Sequence, residues 1–100
     1  MRYAQIFRYT LSLNAAEYQE RWVQPYAEAI AAVPGMISKT WMADFENGVF
    51  ASFYIWKDKA SMDAFMASPA IAKVGSEPFL KDLSITAMPV FENASKITRG

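Results

Sequence analysis

One hundred residues suit one domain, 1–100, and ten basic against ten acidic side chains leave no net charge, so nucleic acid is not an expected partner. The chain has neither cysteine nor histidine, which removes disulfides, thiolate nucleophiles, imidazole bases and the usual zinc and haem ligands together. A hydrophobic fraction of 53%, with 15% aromatic residues, is rich for a soluble domain and fits a chain that hides surface in an oligomer.

Residues Arg2 to Leu13, rich in Tyr, Phe, Ile and Thr, read as a strand with Tyr3, Gln5, Phe7 and Tyr9 on one face. The same segment lacks the apolar core and cleavage site of a signal peptide, and no apolar run approaches the roughly 20 residues that span a bilayer. The expectation is a cytoplasmic, soluble protein with no membrane partner. Asn14 followed by Glu17 has the spacing of a capping box, so a helix starts near Ala15. Tyr18, Trp22, Tyr26 and Ile30 fall on its apolar stripe, and Pro25 is expected to kink the helix or split it in two. Pro34-Gly35 ends it.

Asn47-Gly48 then predicts a hairpin with a two-residue type I′ loop, in which Glu46 faces Val49, Trp41 faces Tyr54 and Lys39 faces Trp56. One face of this ribbon carries Lys39, Trp41, Phe50, Ser52, Tyr54 and Trp56; the other carries Thr40, Met42, Ala51, Phe53 and Ile55. Neither is polar enough for water, so helices are expected on one face and a second copy of the chain on the other. Asp58 caps a second helix with Met62, Phe65 and Met66 on one side, stopping at Ser68-Pro69. A short helical turn follows from Ala70 to Val74, then a last strand over about Asp82 to Phe91, with Pro89 marking an edge or an end. The polar tail from Glu92 is either disordered or clasps a partner subunit. The order βαββαβ is that of the ferredoxin-like α+β sandwich, a four-stranded antiparallel sheet with both helices on one face and a bare face free to dimerise.

The chain carries no metal-ligand cluster, glycine-rich phosphate loop or nucleophile motif, so no metal or organic cofactor is expected. Proton abstraction falls to a carboxylate, a tyrosine or the substrate's own acidity. Trp56, Trp41 and Tyr54 either line a pocket for a flat hydrophobic ligand or simply fill core. Trp22, Tyr26 and Phe65 belong to stripes that are buried in any case. Lys39 stands among aromatic rings, where its ammonium either stabilises an enolate or carboxylate or snorkels to solvent.

The order of elements, Pro34-Gly35 before the second strand, and the segment YIWKDKASMDAFM resemble the dimeric α+β barrel proteins. QPYAEAIAAVPGMISKTWMADFENG, with Pro25, Lys39 and Trp41, and PVFENASKI with Phe91, are most similar to its YdhR-like mono-oxygenases. The resemblance implies a homodimer whose sheets close into a barrel, a cleft between helices and sheet, and oxidation of a small aromatic compound by O2 without a cofactor. In such oxidations the substrate reacts with oxygen once it has lost a proton, and the protein supplies a dry aromatic slot and groups that stabilise the anion. Trp22, Tyr26, Trp41, Tyr54, Trp56 and Phe65 are the ingredients of that slot. In the haem-degrading branch a tryptophan at the end of the third strand matches Trp56; its first-strand asparagine falls at Phe7 and its helical histidine has no counterpart. The alternatives are a module that binds a small hydrophobic molecule without chemistry, and a haem-binding relative.

Overall fold

The computed structural model describes all 100 residues, Met1–Gly100. Strands β1 (Tyr3–Leu11), β2 (Met36–Asp44), β3 (Val49–Trp56) and β4 (Leu80–Pro89) form one antiparallel sheet in the order β2-β3-β1-β4. The helices are α1 (Ala15–Glu17), a π-helical segment (Tyr18–Val23), α2 (Gln24–Ala31), α3 (Lys59–Met66), α4 (Pro69–Gly75) and α5 (Glu92–Ile97). This is the ferredoxin-like α+β fold. No helix is long and apolar enough to cross a membrane.

The first helical run starts at the capping box the sequence predicts: the Glu17 amide donates to Asn14 Oδ1 at 2.9 Å and the Asn14 amide to Glu17 Oε1 at 3.0 Å. Pro25 does not split it. The turn before the proline widens instead, with the Gln24 amide donating to the Gln19 carbonyl five residues back, and Pro25 stands in the first turn of α2, where its fixed φ fits the helix. The wide turn also explains the stripe. Tyr18, Trp22, Tyr26 and Ile30 recur every four residues, a spacing that drifts roughly 40° per step on a regular α-helix. Underwinding takes up part of that drift, and all four are buried against the sheet.

The hairpin departs from the predicted register by two residues. Asp44 faces Val49, Trp41 faces Ser52 and Lys39 faces Tyr54, leaving a four-residue loop, 45–48. Gly48 takes a φ of +67°, but Asn47 stays out of the left-handed region that a type I′ turn would require of it. Two contacts favour the longer loop. The Asp44 carboxylate accepts from the Asn47 amide at 3.2 Å and from Asn47 Nδ2 at 2.9 Å, while Phe45 folds back edge-on to the rings of Tyr18 and Phe50, each 5.4 Å away. A slip of two keeps every side chain on its predicted face, because strand side chains alternate with period two.

The last strand begins two residues earlier than expected and ends at Pro89. A bulge with Asp82 at φ +56° lets pairing continue back to Leu80, and Pro89 cannot donate onward. The tail is not disordered. It forms α5, tied to the N-terminus by the Glu92 carboxylate, which accepts from the Arg2 guanidinium at 2.8 Å and from the Arg2 amide at 3.2 Å.

Thirteen apolar residues form one core between the helices and the sheet. The other sheet face is bordered by the C-terminal segment beside Ala4, Phe53 and Ile55 and is otherwise open: Ile6, Met42, Phe53 and Met88 are each more than a third exposed.

Candidate functional site

The helix-facing side of the sheet brings three strands' aromatic residues under the first helical run. Alternation places Phe7 and Tyr9 from β1, Ser52 and Tyr54 from β3, and Lys39 and Trp41 from β2 on this face. Trp22, Tyr26 and Ile30 roof them, and Phe65 of α3 with Ile71 and Val74 of α4 closes the side. Between these groups lies a narrow cavity of about 30 Å³, room for one or two waters. A second, open space of about 590 Å³ runs between α2, α3 and the start of α4, past Val33, Pro34 and Ala64. The two share the walls Tyr26, Ile30, Phe65 and Ala70. The groove is within the size range of small-molecule sites, and the inner cavity is not.

Seven of the eight residues singled out from the sequence meet at the inner cavity: Phe7, Trp22, Tyr26, Lys39, Trp41, Tyr54 and Phe65. Trp56 does not line it. Wholly enclosed, it stacks at 5.6 Å on Tyr54 and packs at 5.1 Å on Phe65, two of the rings that line the cavity. Its Nε1 donates to Gln5 Oε1 at 3.0 Å. Trp56 therefore braces the ring that forms the wall. Sequence reasoning passed over Tyr9, Ser52 and the α4 wall. Alternation had put Tyr9 beside Phe7 and Ser52 beside Tyr54, so a signal existed; none pointed to Ile71 and Val74.

The polar groups here are few and mostly engaged. The Tyr9 hydroxyl lies 2.9 Å from Ser52 Oγ and accepts from Trp22 Nε1 at 3.2 Å. Tyr26 donates its hydroxyl proton to Glu77 at 2.7 Å. Burial raises the pKa of Tyr9, with hydrogen bonds from Ser52 and Trp22 opposing it; burial also raises Tyr54 and Tyr26, the latter helped by its bond to Glu77. These phenols keep their protons at neutral pH, so no tyrosine here is a ready base. Lys39 moves the other way. Its Nζ stands 3.5 Å from the centre of the Trp41 ring and 4.9 Å from that of Tyr54, and burial pushes its pKa from 10.5 down to about 7. The ring faces attract the cation and resist that push, but no carboxylate lines the cavity to cancel it.

No group of three metal-ligating side chains converges in the fold. A haem would find neither histidine nor cysteine to hold its iron.

Several solved structures share this fold. SnoaB, a cofactor-independent oxygenase from Streptomyces nogalater, is 15% identical with a TM-score of 0.72, over 92% of this chain and 95% of its own. A "putative antibiotic biosynthesis monooxygenase" from Deinococcus radiodurans is 19% identical with a TM-score of 0.75, over 90% and 93%. The heme-degrader MhuD from Mycobacterium tuberculosis, solved with two hemes in its active site, is 17% identical with a TM-score of 0.67, over 91% and 97%. At such identities the likeness is one of fold. Among curated proteins the sequence finds no significant match. Residues 5–100 match the family model described as "Putative mono-oxygenase ydhR", and the chain belongs to that family.

Proposed function

We propose that this chain is a cofactor-independent mono-oxygenase of a small planar aromatic compound, acting as a homodimer. The observation that carries the reading is the convergence of Trp22, Trp41, Tyr54 and Phe65 with one cation, Lys39, round a small inner cavity that shares the walls Tyr26, Ile30, Phe65 and Ala70 with a ligand-sized groove. Family membership and a fold shared with a cofactor-independent oxygenase support it.

The ligand enters through the groove, and movement of the shared walls Tyr26 and Phe65 joins groove and cavity around it. Helix α4 is the easiest boundary to displace, since it is short and has no fully buried residue. A flat ring then lies against Trp41 and Tyr54 in a site from which water is excluded. Loss of a proton leaves a delocalised anion whose carbon adds O2 to give a hydroperoxide. Loss of water from a ring CH–OOH leaves a carbonyl, so one oxygen atom enters the product and the other leaves in water. The bare sheet face, with Ile6, Met42, Phe53 and Met88 exposed, is the surface for the second copy.

The test is oxygen uptake with a panel of hydroxylated polycyclic aromatics, followed by mass spectrometry after reaction under 18O2. One labelled oxygen per product is the expected result. Saturable binding with no oxygen consumed would favour the second reading, a module that binds without chemistry, which the small inner cavity supports.

A further inference from the structure

Lys39 is the single charged side chain among those enclosing the inner cavity. It takes part in none of the chain's three salt bridges. The neighbouring titratable groups are phenols: Tyr9 on β1, Tyr54 on β3 and Tyr26 on α2. Beyond Tyr26 lie the Glu77 carboxylate that accepts its proton and Lys73, whose Nζ is 5.6 Å from the Tyr26 ring centre. Lys39 is half-buried, and a cation set against aromatic rings without a counter-ion is less favourable than one in water, so a ligand that brings the missing negative charge relieves it. The flat faces of Trp41 and Tyr54 beside Nζ set the shape of that ligand.

We infer that Lys39 makes this site selective for weakly acidic planar aromatics, phenols or enols, by accepting the hydroxyl proton and pairing with the oxyanion. The inference rests on the cleft being the ligand site, as in the proposed function, and adds to it the acidity of the ligand and the residue that takes its proton. In the step the ligand O–H bond breaks and an N–H bond forms at Nζ; a neutral amine and a neutral hydroxyl become an ammonium–oxyanion pair. Nothing is oxidised. The ligand's body occupies the groove and its acidic oxygen reaches the inner end. Burial that lowers the lysine's pKa to about 7 leaves its amine free to accept a proton near neutral pH.

The probe is 4-nitrophenol, whose anion absorbs in the visible while the neutral form does not. Bound to the wild-type protein, its ionisation midpoint is expected to fall by about one pH unit, a preference of about tenfold for the anion. Lys39→Met should abolish the fall or raise the midpoint, since the phenol then sits in an apolar space without a partner. Proton linkage separates an acceptor from a fixed charge. At about pH 8.5, binding of preformed nitrophenolate should draw a proton from the buffer in the wild type, measured by calorimetry in buffers of different ionisation heat, and none in Lys39→Arg, whose guanidinium is already charged. Absence of binding, an unshifted wild-type midpoint, or equal midpoints in wild type and Lys39→Met would each overturn the inference; so would proton uptake equal in wild type and Lys39→Arg. If Lys39→Met does not fold, the wild-type midpoint and the Lys39→Arg comparison still decide. A shifted midpoint without oxygen uptake from any acidic aromatic would leave the inference standing and remove the oxygenase reading; the reverse pattern removes the inference alone.

Discussion

The indole Nε1 of Trp56 donates to the side-chain oxygen of Gln5 at 3.0 Å, in a place where Trp56 is 0% and Gln5 2% exposed. A glutamine in the middle of an aromatic strand face is explained by this bond: a buried indole N–H needs an acceptor, and β1 supplies it across the β1–β3 pairing. Trp56→Phe should lower stability by about 1–3 kcal/mol, because it leaves the Gln5 amide oxygen without a partner. Adding Gln5→Leu should return part of the loss, and a urea-denaturation double-mutant cycle measures the coupling. Trp56→Ala should lose about 3–5 kcal/mol and weaken ligand binding as the Tyr54 ring loses its support. Light scattering should give the same mass for Trp56→Ala as for the wild type, since Trp56 lies on the helix side of the sheet and away from the face proposed for a second copy.

Stability should depend on pH through Lys39 in an uncommon direction. Its folded pKa of about 7 lies below the 10.5 of the free side chain, so between these values the unfolded chain holds more protons than the folded one. Stability therefore rises with pH across that window, by on the order of 2 kcal/mol once partial exposure of the side chain is allowed for. Above about pH 10 the sign reverses: the buried phenols Tyr9, Tyr26 and Tyr54, with Tyr18 pushed up to about 12, keep protons that the unfolded chain gives up. Chemical denaturation from pH 6 to about 11 checks both limbs. Lys39→Met should flatten the first and leave the second.

Gly35 combines a φ of +81° with a close approach to α3, where an added Cβ would collide with the Ser61 side chain. Its carbonyl also accepts from the Lys57 amide at 2.8 Å, so the turn cannot easily shift. Gly35→Ala should cost about 2 kcal/mol or more from left-handed strain and displacement of Ser61. Ser61→Gly in the same chain should recover the part due to collision and none of the part due to strain, as thermal melting would show.

Phe53 stands near the middle of the bare face, on β3 between β1 and β2. If that face holds the second copy, Phe53→Glu should yield a folded monomer by light scattering with unchanged far-ultraviolet circular dichroism, because the substituted side chain points away from the core. A wild-type protein that is already monomeric at working concentrations would remove the dimer from the proposal.

The sequence alone determined the faces of β1 and β3 and of the regular parts of β2 and β4, where the first helix starts, and the βαββαβ order; the bulges near Ile37 and Asp82 break the alternation locally. These follow from period-two alternation, the Asn14–Glu17 pair and proline–glycine punctuation, all local rules. The face assignment survived a wrong hairpin register because the slip was even. Only the tertiary structure decided that Phe45 folds onto Tyr18 and Phe50, making a four-residue loop better than the type I′ turn, and that a wide helical turn absorbs Pro25. It also decided which aromatics face the cavity. Trp56 and Trp41 share a sheet face, yet only Trp41 lines the space; Trp56 packs instead against Tyr54 and Phe65, which do line it. The state of Lys39 was least legible of all. A lysine on a strand is equally able to reach water or to be held over rings, and the choice depends on what α2, α3 and α4 place above it, contacts between residues far apart in the chain.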